Sequence, residues 1–250
     1  MRRRNLAEPD AAQAVLRPGR ATAATAATAA TAATAATAVS PGQRPSRSAG
    51  QGAGQQPAPQ AARPPGTVRL IGGLYKRSKL LVPDRPGLRP TPDRVRETLF
   101  NWLGQDLRGR RCLDAFAGTG ALGLEAASRG AAVVCLLERD PALVQALRAQ
   151  VQRLGAAQVQ VQQADALVWM RSASPRAWDV VFLDPPFAAT TEAVQAALAA
   201  ARPLLAAGGL LYLEAPLPWS EAMLQPLGLQ VQRHGRAGQV HYHLLAVLQC

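Results

Sequence analysis

From residue 111 onward, the chain alternates between short apolar runs of strand length and segments with helical periodicity. Strands are predicted at 112–116, 132–137, 159–163, 180–183 and 210–213. A last pair, at 229–233 and 240–248, is predicted to form a hairpin around 235–238. Strands that alternate with helices are joined by crossover connections and pair in parallel. The chain is therefore predicted to be an α/β protein with a mainly parallel, doubly wound sheet.

The predicted strand 180–183 ends in the tetrapeptide Asp184-Pro185-Pro186-Phe187. Proline donates no backbone hydrogen bond and disfavours helical geometry in the residue before it, so the strand ends on a stiff corner. Open α/β sheets bind their ligands at the carboxyl ends of their strands. We interpret the corner as the candidate catalytic site. The alternative interpretation is a plain Pro-Pro turn with a solvated aspartate.

The residue types at this corner suit a flat heterocycle that carries an exocyclic amine. Such an amine is a poor nucleophile because its lone pair is delocalised into the ring. The Asp184 carboxylate and the Pro185 carbonyl can each accept one N–H group, which holds the nitrogen towards tetrahedral geometry. Phe187 can stack on the ring and hold its plane. The corner therefore predicts orientation and electrostatic assistance, while an activated cofactor supplies the electrophile.

A glycine-rich loop follows the first predicted strand. Gly118, Gly120 and Gly123 have the spacing G-x-G-x-x-G, and Glu138 lies 20 residues after the first of them. In nucleotide-binding folds such a loop approaches the cofactor, and the acid accepts hydrogen bonds from its ribose. Nicotinamide dinucleotides and adenosyl cofactors both use this arrangement. The alternative is that the glycines serve only a tight strand–helix turn.

Two further acids favour an adenosyl cofactor. Asp114 lies on the strand just before the glycine loop, where a carboxylate can receive a cationic amino acid moiety. That arrangement suits S-adenosylmethionine and not a pyrophosphate. Asp165 follows the predicted strand 159–163 and could accept a hydrogen bond from the adenine amine. Capping of a helix over 166–170 is an equally good interpretation of Asp165.

Positive charge is concentrated in the first part of the chain. The formal net charge of +12 divides into +6 for 1–66, +7 for 67–111 and −1 for 112–250. A basic segment beside a neutral α/β body predicts a polyanionic partner, although a general excess of arginine is the alternative explanation. The candidate RNA contacts are Arg69, Lys76, Arg77, Lys79, Arg89 and Arg94.

Ordered structure is predicted to begin at Thr67. Strands at 67–71 and 74–82 around Gly72-Gly73 give a hairpin signal, and a helix follows with Thr91 as its N-cap. The buried face of this helix is predicted to consist of Val95, Leu99, Trp102 and Leu103. Three charged residues are predicted to lie outside that face, either in solvent or on RNA: Arg94, Arg96 and Glu97.

Residues 1–66 are predicted to be a disordered, low-complexity basic tail that is not needed for folding. Threonine recurs every third residue from Thr22 to Thr37 in an alanine background, a period that matches neither a helix nor a strand. Such a composition cannot bury a core. An organellar transit peptide is the alternative for the arginine-rich start. The remaining chain is predicted to comprise a basic hairpin and helix at 67–110 and an α/β body at 111–250.

The cysteines Cys112, Cys135 and Cys250 show no metal-ligand spacing, and no metal site is predicted. Cys112 and Cys135 lie in apolar runs, so both are expected to be buried small residues. The absence of a disulfide framework fits a reducing cytoplasm. No apolar run approaches the roughly 18 residues of a membrane span.

Several motifs in this order resemble those of one known family, the bacterial 16S ribosomal RNA (guanine-N2) methyltransferases. The motifs are 89–102, 114–123 and 184–187, with Ile71-Gly72-Gly73 and Gly238-Gln239-Val240 near the two ends. The resemblance covers about residues 67–250. It implies a class I S-adenosylmethionine-dependent methyltransferase fold, which is Rossmann-like, with a seven-stranded mainly parallel sheet and an N-terminal β-hairpin. It also implies S-adenosylmethionine as the methyl donor and one guanine of small-subunit ribosomal RNA as the target.

The resemblance further implies site residues and a partner. Residues that would line the cofactor are Asp114, Phe116, Gly118, Gly120, Glu138 and Asp165. The target base would be presented by Asp184, Pro185 and Phe187. The protein is then expected to be a cytoplasmic monomer that acts on 16S ribosomal RNA in the small subunit or its assembly intermediate. The long alanine–threonine tail departs from the compact start that the family has.

Three other functions remain open on the sequence. The corner does not distinguish a guanine amine from the amines of DNA adenine or cytosine, although no separate DNA-recognition domain is predicted. The glycine spacing would also suit a nicotinamide-dependent dehydrogenase, which gives the Asp-Pro-Pro-Phe corner no use. A non-catalytic RNA-binding module is the third alternative, and the predicted cofactor site argues against it.

Overall fold

The computed structural model describes residues 66–83, 85, 91–186 and 188–248. They form a small hairpin, a seven-stranded sheet and the helices that pack on that sheet. The predicted tail, apart from Gly66, lies outside the described residues, as do Arg89, Phe187 and Cys250. Within the described ranges, no helix has the length and apolar character that a membrane crossing requires.

In chain order the elements are β1 (Gly66–Arg69), β2 (Lys79–Val82), α1 (Asp93–Trp102), β3 (Arg111–Asp114), α2 (Ala121–Ser128), β4 (Val133–Glu138), α3 (Pro141–Leu154), β5 (Val159–Gln163), α4 (Ala166–Ser172), β6 (Trp178–Leu183), α5 (Thr191–Ala201), β7 (Leu205–Ala215), α6 (Glu221–Leu224), β8 (Leu229–Ala237) and β9 (Val240–Val247). Short 3-10 helices follow α5 and α6, at Arg202–Leu204 and Gln225–Leu227.

The sheet has the strand order β5-β4-β3-β6-β7-β9-β8. Strands β3 to β7 pair in parallel, and β9 is antiparallel to both β7 and β8. The chain runs outward from β3 to β5 and then returns to place β6 on the other side of β3. The strand order therefore reverses between β3 and β6, and such a switch point is where open α/β sheets bind ligands. The predicted mainly parallel, doubly wound sheet is confirmed.

Successive residues of the central strands enter two hydrophobic clusters on opposite faces of the sheet. Leu113 and Val181 belong to one cluster, and their neighbours Cys112 and Val180 belong to the other. This alternation follows from the two-residue period of a strand. Cys112 and Cys135 are both buried, as predicted. Burial raises the pKa of the Cys135 thiol to about 12, so this group stays protonated and unreactive.

The hairpin shares a hydrophobic cluster with the sheet. Its inward side chains in this cluster are Val68, Leu70, Leu80 and Val82. Helix α1 buries Val95, Arg96, Leu99 and Phe100, whereas Trp102 and Leu103, which the sequence predicts to be buried, are only partly so. The hairpin and α1 are thus packed on the same face of the sheet as α2.

A buried carboxylate on α2 anchors the hairpin to the sheet. Glu125 has no exposed side-chain surface and accepts hydrogen bonds from the amides of Ile71 and Gly72, each at 2.8 Å. Its charge is paired with Arg129 at 2.9 Å and with Arg96 at 3.5 Å. Two cationic groups and two amides therefore surround one carboxylate, which compensates for its removal from water.

These anchoring contacts correct the predicted extent of the hairpin. The sequence predicts a second strand from residue 74, but bends and turns occupy 72–77 and β2 begins at Lys79. Leu70 still pairs across the hairpin with Arg77 and Ser78, but the backbone from Ile71 to Tyr75 binds α2. Leu74 donates to the Ser128 carbonyl at 2.6 Å, and Tyr75 donates to the Ser128 hydroxyl at 2.9 Å. An extended strand could not make these contacts.

The predicted position of Arg96, outside the buried face of α1, is wrong. The Arg96 side chain is completely buried. Its guanidinium donates to the Arg69 carbonyl at 2.8 Å and to the Asp93 carboxylate at 2.6 Å, besides its pairing with Glu125. An apolar stripe does not reveal a charge whose partners come from distant segments of the chain.

Candidate active site

The Asp184 corner lies at the switch point of the sheet. Asp184 directly follows β6, which pairs with β3 on one side and β7 on the other. The half-buried Asp184 accepts a hydrogen bond at Oδ2 from the Thr91 hydroxyl at 3.2 Å. Burial, followed by the negative charges of Glu214 and Asp114, raises the pKa of Asp184 well above its ordinary value. The corner thus carries a carboxyl group with a raised proton affinity.

The other corner residues are described in part. Pro185 is half-buried and Pro186 is exposed, so the backbone after Asp184 leaves the sheet towards solvent. The placement of Phe187 lies outside the described residues. Stacking of this ring on a target base stays a prediction.

Thr91 has a different role from the one that its sequence context predicts. The sequence favours Thr91 as the N-cap of α1, but the helix begins at Asp93 and Pro92 is the residue before it. The Thr91 side chain is buried and donates to Asp184 instead. The Thr-Pro pair is typical of a helix start, so it does not indicate that Thr91 contacts a residue far along the chain.

Glu214 is a second acid beside the corner, and the sequence reasoning missed it. It lies near the carboxyl end of β7, is 6% exposed and accepts a hydrogen bond from the Tyr212 hydroxyl at 2.8 Å. Burial raises the pKa of Glu214, and hydrogen bonds from Tyr212 and Thr91 oppose that rise. The sequence does contain an indication of this site residue, because Glu214 directly follows the predicted strand 210–213 as Asp184 follows the predicted strand 180–183.

The glycine loop turns sharply from β3 into α2. Gly118 and Gly120 have positive φ angles of 50° and 77°, which favour glycine. A side chain at Gly120 would also collide with Leu147, at 2.6 Å. Glu138 supports the loop from the end of β4, where its carboxylate accepts from the amides of Gly118 at 3.0 Å and Asp140 at 2.8 Å. The sequence spacing thus corresponds to a direct contact.

Asp114 is buried at the end of β3, directly below this loop. Its Oδ2 accepts from the Gly123 amide at 2.9 Å, whereas its Oδ1 has no hydrogen-bond partner among the described residues. Burial raises the pKa of Asp114 to about 7, although hydrogen bonding from the Gly123 and Phe116 amides favours the ionised form. A buried carboxyl group with one oxygen unpaired is suited to a cationic partner.

Two further predicted cofactor contacts lie at the same sheet edge. Phe116, two residues after the end of β3, is partly buried against one of the hydrophobic clusters. Asp165 is exposed and caps α4 by accepting from the Val168 amide at 3.0 Å. The helix cap, one of the two interpretations of Asp165, is therefore observed. A contact between Asp165 and an adenine amine stays a prediction.

The candidate RNA contacts lie on the surface of the hairpin and α1. Five of them are exposed: Arg69, Lys76, Arg77, Lys79 and Arg94. Arg85, on the chain that leaves β2, lies 3.8 Å from the Asp140 carboxylate at the start of α3. Arg85 thus lies close to the glycine-loop edge of the sheet. Arg89 lies outside the described residues.

A protein-family model described as conserved hypothetical protein 95 matches residues 68–246 of this chain. Ribosomal RNA small subunit methyltransferase D of Escherichia coli (strain K12) is 42% identical over 180 residues, which cover 72% of this chain and 89% of that protein. The chain belongs to the conserved hypothetical protein 95 family. The family match begins in β1 and ends in β9, so the hairpin is part of the family domain.

Solved structures agree with membership of the conserved hypothetical protein 95 family. The structure of yhhF from Escherichia coli is 37% identical, has a TM-score of 0.62 and covers 73% of this chain and 99% of its own. Magnesium protoporphyrin IX methyltransferase from Synechocystis PCC 6803, solved with bound SAM, is 22% identical with a TM-score of 0.52, covering 62% of this chain and 79% of its own. The second likeness concerns the fold alone. The class I methyltransferase fold and the family resemblance inferred from the sequence are both confirmed.

Proposed function

We propose that this protein transfers a methyl group from S-adenosylmethionine to the exocyclic N2 amine of a guanine in 16S ribosomal RNA. The observation that carries the proposal is the Asp184 carboxylate, which lies at the switch point between β3 and β6 together with the buried Asp114. The family and the name of the 42% identical relative support methylation of small-subunit ribosomal RNA. The exposed basic residues of the hairpin support a nucleic acid partner.

The residues around the glycine loop fit S-adenosylmethionine. Asp114 offers an unpaired, buried carboxylate oxygen that would hold the cationic amino acid moiety. Each oxygen of Glu138 accepts one amide and retains a lone pair that can accept from a ribose hydroxyl. Phe116, Gly118, Gly120 and Asp165 would complete the cofactor site. When bound, the cofactor supplies an electrophilic methyl group.

The corner would orient the target amine. Asp184 and the carbonyl of Pro185 would each accept one N–H group, and Phe187 would stack on the guanine ring. Positive charge develops on the amine nitrogen as its new bond forms, which strengthens its hydrogen bond to an ionised Asp184. The raised proton affinity of Asp184 makes it a stronger acceptor at that moment. The residues thereby act on the transition state more than on the bound substrate.

Contacts with the RNA backbone would help bring the base to the corner. The target guanine must leave its stack, which costs a few kcal/mol. Contacts between basic side chains and RNA phosphates would offset this cost. The side chains that would make them are Arg69, Lys76, Arg77, Lys79, Arg89 and Arg94. We further propose that the protein acts as a monomer in the cytoplasm, on small subunits or their assembly intermediates.

One assay tests the reaction and the substrate class together. Labelled S-adenosylmethionine is incubated with the protein and naked 16S ribosomal RNA, assembled small subunits or DNA, and the modified nucleoside is identified. The label is expected in N2-methylguanosine from one of the ribosomal substrates. Label in methylated adenine or cytosine of DNA would overturn the proposed function.

Replacing Glu138 with alanine is expected to weaken S-adenosylmethionine binding by about 1–3 kcal/mol, the scale of hydrogen bonds to a charged group. The variant loses the acceptor for the ribose and also the carboxylate that holds the Gly118 amide. Calorimetric titration measures the affinity. Glu138→Gln retains one acceptor oxygen and should lose less. An unchanged affinity in the alanine variant would show that Glu138 takes no part in cofactor binding.

Replacing Lys76 and Arg77 together with alanine is expected to lower RNA affinity. The slope of the logarithm of the binding constant against the logarithm of the salt concentration should become shallower by about one unit or less per charge. S-adenosylmethionine affinity should hold, because its site is built from other elements. Arg171→Ala with Arg233→Ala is the matched control, since it removes the same charge from exposed positions on α4 and β8. RNA binding is measured at several salt concentrations. Equal slopes for the two double variants would place the RNA surface elsewhere.

A further inference from the structure

One buried acid beside the corner has no part in the function proposed above. Glu214 lies on β7, the strand next to β6, with 6% of its surface exposed. The Tyr212 hydroxyl, two residues earlier on the same strand, donates to Glu214 Oε1 at 2.8 Å. This hydrogen bond holds the carboxyl group in one orientation. Burial of a carboxylate with one neutral donor costs free energy, so the position calls for an explanation beyond stability.

The Thr91 hydroxyl lies between Glu214 and Asp184. It donates to Asp184 Oδ2 at 3.2 Å, and hydrogen bonding from Thr91 also lowers the pKa of Glu214. A hydroxyl carries a single proton, so it can donate to only one of the two acids at a time. The two carboxyl groups, which come from adjacent parallel strands, are therefore linked by one shared donor.

We propose that Glu214 is a positioning residue for methyl transfer and that it acts on the target amine through Asp184. The inference rests on the function proposed above. The Glu214 carboxylate, held by Tyr212, repels negative charge on Asp184 and competes with it for the Thr91 hydroxyl. Both effects leave Asp184 less satisfied by the protein and therefore a stronger acceptor for the N–H group of the target amine.

Among the described residues, the groups that face this pair are acidic or neutral. Asp184 is faced by Glu214 from β7 and by Asp114 from β3, besides Thr91. Glu214 lies beside Tyr212 on its own strand and opposite Tyr242 on β9. In the part of the chain that the structure describes, neither Asp184 nor Glu214 forms an ion pair with an arginine or lysine. Within that part, no neighbouring cation offsets the repulsion between the two acids.

The Glu214→Gln variant separates this role from a purely structural one. Repulsion by Glu214 favours protonated Asp184, so activity that needs ionised Asp184 is lost as the pH falls through the raised pKa of Asp184. Removing the charge should move this acid limb to lower pH by about half a unit to one unit. The rate on the plateau should fall about threefold to tenfold, because Asp184 becomes a weaker acceptor. Glutamine retains an oxygen for the Tyr212 hydroxyl.

The experiment is the single-turnover rate of RNA methylation against pH for the wild-type protein, Glu214→Gln and Glu221→Gln. Glu221 is an exposed acid on α6 that accepts from the Val231 amide at 3.1 Å, so its variant removes the same charge away from the corner. The control profile should overlay that of the wild type. An acid limb of Glu214→Gln that stays in place or moves to higher pH would overturn the inference, whatever the plateau rate.

A second pair of variants tests the shared hydroxyl. Thr91→Val removes the donor that lowers the pKa of Asp184, so its acid limb should move to higher pH, opposite to that of Glu214→Gln, while Thr91→Ser should keep the wild-type profile. Unchanged S-adenosylmethionine affinity would indicate that the fold is intact. Acid limbs at the same pH in the two variants would exclude a role for the hydroxyl. Absence of RNA methylation by the wild-type protein would overturn the proposed function, whereas a wild-type pH profile in Glu214→Gln would overturn only this inference.

Discussion

Replacing Asp184 with alanine is expected to slow single-turnover methyl transfer about a hundredfold to a thousandfold, the range seen when one preorganised hydrogen-bonding group is removed from an active site. S-adenosylmethionine affinity should stay within about twofold, because Asp184 acts on the amine in the transition state and not on the cofactor. Rapid-quench kinetics with labelled cofactor measures the rate, and calorimetric titration measures the affinity.

Two further variants sharpen this expectation. Asp184→Asn retains an acceptor oxygen but loses the negative charge, so its rate should fall between those of the wild type and the alanine variant. Glu192→Ala removes an exposed acid from the start of α5 and should leave both quantities unchanged. Near-normal single-turnover chemistry in Asp184→Ala would exclude the proposed role of the corner.

Replacing Glu125 with alanine is expected to lower the free energy of unfolding by about 3–5 kcal/mol, the cost of removing one partner from a buried ion pair. The change leaves the Arg129 guanidinium almost completely buried without its carboxylate, and it leaves the buried Arg96 with Asp93 as its remaining carboxylate. It also removes the acceptor of two hairpin amides, those of Ile71 and Gly72. For a domain of this size, the melting temperature should fall by about 10 °C.

Thermal and denaturant unfolding of the full chain measure this loss. Glu125→Gln keeps oxygen and shape but not charge, so an intermediate loss is expected. Glu97→Ala changes an exposed acid on α1 and should lower the free energy of unfolding by less than about 0.5 kcal/mol. If Glu125→Ala unfolded at the wild-type temperature, the hairpin would have to be held by its apolar contacts alone.

Much of the sheet and its functional edge could be predicted from local sequence patterns. Strand β5 begins and ends where the apolar run predicts, at Val159–Gln163. Asp114 and Asp184 lie at the same edge because both follow parallel strands, whose carboxyl ends meet there. The glycine spacing and Glu138 were informative for a similar reason, since a strand, a tight turn and the next parallel strand have nearly fixed lengths.

The contacts that the sequence did not reveal join segments far apart in the chain. Thr91 and Asp184 are separated by 93 positions, and no periodicity connects them. Arg96 is buried because its partners come from β1 and α2, whereas its neighbours Arg94 and Glu97 are exposed, so the helix pattern alone does not reveal the buried charge. Glu214 was accessible in principle, because it follows an apolar strand as Asp184 does, but no proline corner marks it.

The anchoring of the hairpin by its backbone divides this segment into fixed and variable positions. Glu125 and Ser128 bind amides, which every residue except proline provides, so they do not select hairpin side chains. Steric limits fall on Gly73, whose φ is +74° and where a β-carbon would overlap the Ser128 carbonyl, and on Arg77, whose φ is +70°. The other exposed side chains from Leu74 to Lys79 can therefore diversify among relatives without loss of docking. The proposed RNA surface is therefore free to evolve towards a new target while the scaffold that presents it stays constant.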